Sequence, residues 1–581
     1  MKRKVLGVAA LTLMMAVSTG LTACSNSNNN AGDKAANSTT NNTTASATKE
    51  PDKVANLTPA GLERKGKVSV MVYDRGLIPA SEGTYDNNRW TKWIQENAPF
   101  EEVEFVIVPR TEAVQKMNML FAAGEGPDVV ANYEDVGPFI AKGQALEITE
   151  DLLAKMPNYK KILDENPALQ KLTTTNGKIY TVGTISPVSP NHTAVIRADW
   201  LEKLNLSVPK TPEELLAVAK AFTEQDPDGN GKNDTYGTTM NSDSRRVLAH
   251  MFGFGNPESY AIEDGKLTNV WDRKQDWITF AKQIVDAKTV DPDFLLDKGD
   301  KALTDFTNGK VGIFLTGKLS QLNSPTFVNF KQNNPTGKLE AFDLPATKYG
   351  SFTGYVNGGP SIVGFINSAT KDPDAAARYI NWLTDPKVSD YLVNGPDGVY
   401  KKRDAEGTVV VVDPEKNKIE YDYAADYSII RTFDLTDDSI SPLANEYYNS
   451  YLKSSDPLLQ EFGVLYYKMA QIANKPGTTD PRKWQQTLPA LASELLLQET
   501  NGLKVVDEIF LKSLADTGKT AEQAVAEAKE AWNKAGGEAV DAYYSEYYAE
   551  HKDQMLSPED FEGLKSEPEL LPSAKANFDK Q

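Results

Sequence analysis

The stretch "VEFVIVPRTEAVQKMNMLFAAGEGPDVVANY", residues 103–133, has a β-rich run at each end and a helical pattern between them. The helical part places Val114, Met117 and Leu120 or Phe121 on one face, and Gly124 stands where a C-cap is expected. A further β-rich run, "VSVMVY", occupies residues 68–73. The order strand, helix, strand favours a mostly parallel sheet, so we expect an α/β fold.

A second α/β unit is predicted from about residue 191, beginning with the strand-like "HTAVIR" and the helical "ADWLEKLNL". The next helix has clear start signals, with Thr211 as N-cap, Pro212 in the first turn and Glu214 at the capping-box position. Because 581 residues exceed what one core accommodates, at least two lobes are expected. Later strands are predicted at 310–315 and 360–366, and nearly continuous helix from about residue 440.

The N-terminus has the pattern of an export signal, with basic "MKRK" followed by the apolar run Val5–Val17. That run is too short to span a bilayer as a helix. Cys24 follows in "LTAC", which resembles the bacterial lipobox, and it is the only cysteine of the chain. We therefore expect a signal peptide over 1–23, lipidation at Cys24 and a disordered Asn/Ser/Thr-rich tether over 24–65.

Charge and motifs exclude several classes of function. With 62 Lys and Arg against 81 Asp and Glu, the net charge of −19 disfavours a nucleic-acid partner. The three histidines lack zinc-site spacing, and no GxSxG or GxxxxGK[ST] motif occurs. Two alternatives stay open: a secreted glycoside hydrolase or lyase that uses carboxylates such as Glu134 and Asp135, and a lipoprotein scaffold or adhesin without an enclosed cleft.

The segment "DPDGNGKNDTYG", residues 226–237, has the spacing of a calcium loop with Gly231 at its bend. Gly237 stands where such loops carry a bidentate Glu, so the helix-pair switch of an EF-hand is incomplete. A turn that binds nothing is the alternative. Three nearby carboxylates repel one another unless a cation offsets them, so we expect a structural calcium site. The expected ligands are Asp226, Asp228, Asn230, the carbonyl of Lys232, and Asp234.

Several segments together resemble extracellular solute-binding family 1, the lipoproteins of carbohydrate ABC importers. The similarity is greatest to the long, calcium-loop-bearing Gram-positive members and covers most of the chain from about residue 66. "RADWLEKL" followed by the Asp/Asn loop is its most specific part. The other segments are "FAAGEGPDVVANY", "GQALEITEDLL", "NGKIYTVGT", "VDPDFLL", "FTNGKVGIF" and "DPDAAARYINWLTD".

The resemblance implies a two-lobed, periplasmic-binding-protein-like fold that crosses a hinge several times and closes on a sugar. It further implies a monomer, lipid-anchored at the outer face of the cell membrane, that delivers its ligand to ABC permease subunits and performs no chemistry on it. The expected division is lobe 1 over 66–190, lobe 2 over 191–352, a return to lobe 1 over 353–400, and lobe 2 with a helical C-terminal extension over 401–581.

Candidate ligand residues follow from the strand ends, because ligands of open α/β sheets bind beyond the carboxyl ends of strands. Aromatic rings pack on sugar C–H faces, while Asp, Asn and Arg bind hydroxyl groups. For lobe 1 the candidates are Asp74, Arg75, Tyr133 and Asp135. Across the cleft and near a hinge crossing they are His192, Asp243, Arg245, Tyr355 and Asn357.

Overall fold

The computed structural model describes residues 63–132, 136–190, 194–255, 260–297, 300–316, 321–428, 430, 447–478, 480–481 and 487–581. For residues 132, 187 and 357–362 it describes the backbone alone. All of these residues belong to one compact unit that begins at Ala55. Within these ranges no helix is both long enough and apolar enough to cross a bilayer.

Strands and helices alternate through the first two thirds of the chain, and helices dominate the last third. The strands are β1 (Lys67–Asp74), β2 (Glu102–Pro109), β3 (Val129–Asn132), β4 (Thr174–Thr175), β5 (Lys178–Ile179), β6 (Thr181–Pro190), β7 (Ala194–Arg197), β8 (Tyr236–Thr238), β9 (Tyr260–Glu263), β10 (Lys266–Asn269), β11 (Val311–Leu315), β12 (Leu339–Ala341), β13 (Val356–Ile366), β14 (Lys401–Arg403) and β15 (Val409–Val411). The helices are α1 (Arg89–Asn97), α2 (Ala113–Ala123), α3 (Gly137–Ala141), α4 (Glu150–Leu153), α5 (Pro157–Glu165), α6 (Pro167–Thr173), α7 (Ala198–Leu204), α8 (Pro212–Glu224), α9 (Ser242–Met251), α10 (Trp271–Asp286), α11 (Asp300–Thr307), α12 (Ser324–Asn333), α13 (Pro373–Leu383), α14 (Pro386–Asn394), α15 (Pro414–Glu420), α16 (Tyr447–Leu452), α17 (Pro457–Ala473), α18 (Ser493–Ala515), α19 (Ala521–Lys534), α20 (Gly537–His551), α21 (Pro558–Glu562) and α22 (Pro572–Phe578).

The first sheet has the order β2-β1-β3-β13-β6. β1 pairs parallel with β2 and β3, which confirms the predicted β-α-β unit, while β13 runs antiparallel to β3 and β6. In α2 the prediction for Val114 is wrong: this residue is exposed, because the helix packs on the sheet through Ala113 and Met117, one turn apart. Gly124 ends α2 in the left-handed conformation with φ 73°, as predicted.

The second sheet has the order β12-β7-β11-β8 and is covered on both faces. In β7, Ala194 and Ile196 belong to one hydrophobic cluster and Val195 belongs to another, as the alternation of a strand requires. The helix α8 begins as predicted, with the Thr211 hydroxyl accepting from the Glu214 amide, although the Glu214 carboxylate accepts from the Lys210 amide instead of closing a capping box. Each sheet thus has a core of its own, and the described chain forms two lobes.

The described residues change lobe at three places along the chain. β6 leads from the first core into β7 of the second sheet, and β13 leads back. The third passage lies between Ile430, in the first core, and Tyr448, in the second lobe. The predicted change of lobe at residue 400 is therefore wrong: Tyr421, Tyr427 and Ile430 pack in the first core, where the Tyr421 ring lies 5.5 Å from that of Trp90.

The lobes are also joined by ionic contacts away from these passages. On lobe 1, Asp404 and Glu406 lie in the turn of the β14–β15 hairpin. On lobe 2, Lys453 directly follows α16 and Ser573 lies in the first turn of α22. We call these four residues the interlobe cluster. The Lys453 ammonium lies 2.8 Å from the Glu406 carboxylate and also pairs with Asp404. Ser573 donates its backbone amide and hydroxyl to Glu406. Hydrogen bonds from Lys453 and Ser573 lower the pKa of Glu406 to about 2.

The C-terminal helices pack on the β9–β10 hairpin around Asp541. Its carboxylate accepts hydrogen bonds from Tyr260 at 2.7 Å, from Asn269 at 3.0 Å and from the Trp532 indole at 3.0 Å. Nearby, the ammonium of the buried Lys274 donates to Asn269 at 2.8 Å. Burial lowers the pKa of Lys274 to about 7, although Asp541 acts in the opposite direction.

Lys274 gives the folded state a defined pH dependence. Its pKa is about 7 when folded and near 10.5 when unfolded, so between these values the unfolded chain binds more protons and stability rises with pH. Relative to Lys274→Met, the unfolding free energy of the wild type is expected to increase by about 2 kcal/mol from pH 7 to pH 9. Urea unfolding of both proteins at each pH measures this difference. If the unfolding free energies of the two proteins change equally between pH 7 and pH 9, Lys274 does not contribute to the pH dependence.

Candidate functional site

The lobe 1 edge of the site is formed where β1 ends. Asp74 and Arg75 are both half-buried there, and the Asp74 carboxylate accepts from the Gly76 amide at 2.8 Å. The guanidinium of Arg75 forms an ion pair with Asp426. The hydroxyl of Tyr85 accepts from the Arg75 amide at 3.0 Å and holds the backbone that follows the strand. The structure thus brings two predicted residues to one polar edge.

Asp426 and Tyr85 were missed by sequence reasoning. Asp426 lies on the 3₁₀ turn Ala424–Tyr427, far along the chain from β1, in a segment without a strand-end signal. Its side chain is only 4% exposed, and burial raises its pKa, although Arg75 and the Tyr85 hydroxyl act in the opposite direction. The turn is held by the Tyr427 hydroxyl, which donates to the Tyr85 carbonyl at 2.8 Å.

Four predicted ligand residues lie wholly or partly outside the described residues. Tyr133 and Asp135, which follow β3 in the sequence, and His192, which precedes β7, are outside them. For Asn357 the backbone alone is described, and it pairs with Ser189 across the β6–β13 ribbon. Their roles as ligand residues stay predictions.

On lobe 2 the corresponding edge is the start of α9, beside the ends of β8 and β11. Asn241 caps the helix, and the hydroxyl of Ser244 donates to the Leu315 carbonyl at 2.9 Å. Asp243, in the first turn, lies 3.7 Å from the Arg246 guanidinium. Arg245 turns inward instead: it is buried, it donates to the Met240 carbonyl at 3.3 Å, and burial lowers its pKa. The geometry therefore favours a packing role for Arg245.

The hinge side of the site contains Tyr355, directly before β13. This residue is buried, and its ring lies 4.0 Å from the imidazole of His250. The Asp480 carboxylate accepts from the Val356 amide at 3.3 Å, and Asn474 donates to the Val188 carbonyl at 2.9 Å. Side chains of lobe 2 thus hold both strands of the β6–β13 ribbon, and Tyr355 is part of that packing.

The predicted calcium loop folds around its own acidic side chains. The Asp226 carboxylate accepts from the backbone amides of Asn230 and Gly231, both at 3.1 Å. The side-chain amide of Asn230 donates to Asp228 at 2.7 Å and to Asp234 at 3.0 Å, so an N–H donor lies between two carboxylates. Burial and the neighbouring Asp226 raise the pKa of Asp228, although the Asn230 amide acts in the opposite direction.

Asp226, Asp228 and Asp234 stand at positions 1, 3 and 9 of the loop, and their carboxylate oxygens are the ligand type that a hard cation such as Ca²⁺ prefers. Rotation of the Asn230 amide would present its oxygen, instead of its N–H donor, toward Asp228 and Asp234. Within the described ranges, no three His, Cys, Asp or Glu side chains alone are grouped to hold a metal ion. A calcium ion here would therefore also need the Asn230 oxygen and the Lys232 carbonyl, and the loop fits the ion only with these ligands.

The family model described as "Bacterial extracellular solute-binding protein" matches residues 84–390, more than half of the chain. This chain belongs to that family. The predicted recognition and fold are confirmed, and since the family is one of binding proteins, the enzyme alternative is set aside. The closer assignment to a calcium-loop subgroup stays a prediction.

Two relatives and one solved structure illustrate the similarity. Lipoprotein LipO of Bacillus subtilis is 31% identical over 235 residues, which are 39% of this chain and 46% of LipO. The polygalacturonan/rhamnogalacturonan-binding protein YtcQ of the same organism is 25% identical over 467 residues, 78% of this chain and 86% of YtcQ. An extracellular solute-binding protein from Bifidobacterium longum subsp. infantis has the same fold, with a TM-score of 0.64 at 18% identity over 84% of this chain and 98% of that one. The chain thus matches less than half of LipO but most of YtcQ.

Proposed function

We propose that this protein captures an extracellular oligosaccharide between its two lobes and delivers it to the permease subunits of an ABC importer. The family match over residues 84–390 carries the proposal. The relative matched over most of its length, YtcQ, is named as a binder of polysaccharides. The placement of Asp74 and Arg75 at the carboxyl end of a parallel strand, where α/β sheets bind ligands, supports the same conclusion.

Capture of a sugar between the lobes needs polar groups on both lobes and a hinge between them, which the β6–β13 ribbon would provide. Ligand hydroxyl groups bound at the β1 edge meet the α9 edge when the lobes close, and closure removes them from water. A hydroxyl group buried without a partner costs about 1–3 kcal/mol, so the site selects sugars by the match of their hydroxyl groups. The protein acts as a monomer and leaves the sugar chemically unchanged.

A thermal-shift screen of residues 63–581 against mono- and oligosaccharides tests the proposal. A ligand at 100 times its dissociation constant adds about 2.7 kcal/mol to the unfolding free energy, which raises the melting temperature measurably. Mass analysis of the recovered sugar is expected to give its original mass. Stabilisation by no glycan would favour a scaffold or adhesin, and shortened or unsaturated products would mean catalysis.

We further propose that the loop 226–237 binds a structural calcium ion. The backbone amides that point at Asp226 preform the loop, and the Asn230 side chain donates to both Asp228 and Asp234, so three acidic side chains are held near one another. The loop joins α8 to β8 of the second sheet, so the ion would stabilise lobe 2 and leave sugar selectivity to other residues.

Chelation of calcium is expected to lower the melting temperature by several degrees, because carboxylate repulsion is no longer offset. Asp226→Ala together with Asp228→Ala should lower it similarly and abolish the response to EDTA. Metal analysis of the purified proteins accompanies the melting curves. Unchanged melting temperature and metal content in the double variant would leave the loop as a turn without a metal.

Lipid anchoring at Cys24 is the remaining part of the proposal, since the family is extracellular and one relative is named a lipoprotein. Cys24 and the tether lie outside the described residues. Cys24→Ala is expected to move the exported protein from the membrane fraction into the medium, because one or more acyl chains provide the attachment. Cell fractionation with immunodetection measures this shift. Retention of an exported Cys24→Ala protein on the membrane would contradict anchoring through this residue.

A further inference from the structure

The charges at the lobe 1 edge are paired. Arg75 contributes the cation at the end of β1, and Asp426 pairs with its guanidinium from below. Arg110, which follows β2, acts electrostatically on the same carboxylate. With Asp74 at the end of β1, these four side chains comprise two cations and two anions. No net positive charge is left here for an anionic ligand.

On the second lobe, one acid and two arginines lie at the corresponding edge. Asp243 at the start of α9 lies next to Arg246, and the neighbouring Arg245 is buried and directed to a backbone carbonyl. The chain as a whole carries a net charge of −19, so its long-range field repels polyanions. In the sequence, the end of β3 is followed by the further acids Glu134 and Asp135.

Recognition of carboxylates and recognition of hydroxyl groups make different demands on arginine. A uronate requires a guanidinium whose charge is available for a bidentate ion pair. A hydroxyl group requires only a fixed N–H donor, and an arginine already paired with a buried carboxylate provides one without net charge. Asp426 is 4% exposed and Arg75 is 25% exposed, so the carboxylate lies beneath the guanidinium and leaves part of it accessible.

We infer that Asp426 is a positioning residue that holds Arg75 as a neutralised hydroxyl donor, and that the protein therefore selects neutral oligosaccharides over uronate-containing ones. This inference rests on the proposed function and narrows its substrate class. It separates this chain from YtcQ, whose name refers to galacturonate polymers. Tyr85 completes the arrangement by fixing the backbone amides of Arg75 and Leu77 at 3.0 and 3.1 Å.

The test compares sugars that differ only in charge. The probes are 1-kestose, maltotriose and carboxyl-reduced trigalacturonate, each measured by titration calorimetry against its counterpart oxidised to the carboxylate at C6. For the wild type, the neutral form of a bound sugar is expected to bind at least tenfold more tightly at 50 mM NaCl. Its affinity should not change up to 500 mM NaCl, because no net charge is paired.

Asp426→Asn keeps the shape of the side chain but removes the negative charge that neutralises the Arg75 guanidinium. In this variant we expect the ratio of the affinity for a neutral sugar to the affinity for its oxidised counterpart to fall at least tenfold. Asp426→Glu is expected to keep the ratio of the wild type. The matched control is Asp390→Asn, which removes the same charge from another lobe 1 pair, 2.6 Å from Arg403, and should leave the ratio unchanged. A merely structural role of Asp426 would weaken both forms equally.

The possible failures are distinguishable. Tighter binding of the oxidised sugar by the wild type, or an unchanged ratio in a folded Asp426→Asn protein, overturns this inference and leaves carbohydrate capture intact. If wild type and variants bind none of the six probes, nor any glycan of the thermal-shift screen, the proposed function itself fails and the inference fails with it.

Discussion

Arg75→Ala is expected to weaken oligosaccharide binding by about 10-fold to 150-fold. The guanidinium lies at the end of β1 beside Asp74, and its loss removes the fixed donors of this edge. A hydrogen bond that involves a charged group contributes about 1.5–3 kcal/mol, which corresponds to that range of affinities. Titration calorimetry with the sugar that stabilises the wild type measures the change.

Two controls separate binding from folding. Arg75→Ala leaves the buried Asp426 carboxylate without its cation, so the double variant Arg75→Ala with Asp426→Asn should regain stability but not affinity. Arg403→Ala removes a cation from the Asp390 pair, elsewhere on lobe 1, and should keep the affinity of the wild type. Wild-type affinity in a folded Arg75→Ala protein would remove this edge from the ligand site.

Lys453→Met is expected to destabilise the protein by about 2–3 kcal/mol and to loosen the contact between the lobes. The Lys453 side chain is 14% exposed and its ammonium pairs with Asp404 and Glu406, so its removal leaves two neighbouring carboxylates without a cation. Urea unfolding measures the stability. Hydrogen exchange of the β14–β15 hairpin and of α22 reports the interlobe cluster directly.

The matched control is Lys338→Met. Its partner, Glu202, is at 3.3 Å, and both side chains are more than half exposed, so a change below about 0.5 kcal/mol is expected. Equal effects of the two substitutions, or unchanged exchange in Lys453→Met, would show that the interlobe cluster contributes no more than an ordinary surface ion pair.

Patterns that depend on neighbouring residues were predictable from the sequence. The β-α-β unit, the N-cap at Thr211 and the C-cap at Gly124 are local, because each depends on residues within a few positions. Asp74 and Arg75 lie where β1 ends, as the extent of the β-rich run "VSVMVY" indicated. Val114 was not predictable, because several helical faces of α2 contain apolar residues and only packing decides among them.

Contacts between distant segments were not predictable. Asp426 reaches Arg75 on a short 3₁₀ turn, and Lys453 reaches Glu406 across the two lobes; neither pair has spacing or composition that marks it. The burial of Arg245 was not predictable for the same reason, since the exposure of its side chain depends on how α9 packs on the second sheet. The return of the chain to lobe 2 was placed too early, because Tyr421 and Tyr427 give no sequence sign of which core they join.

In the proposed function, the two lobes close around an intact carbohydrate. Small-angle X-ray scattering of residues 63–581, with and without the oligosaccharide found to bind, measures this closure. We expect a smaller radius of gyration with the sugar present, because rotation about the β6–β13 ribbon brings the β1 and α9 edges together. A radius that stays the same or grows at saturating sugar would contradict capture by closure.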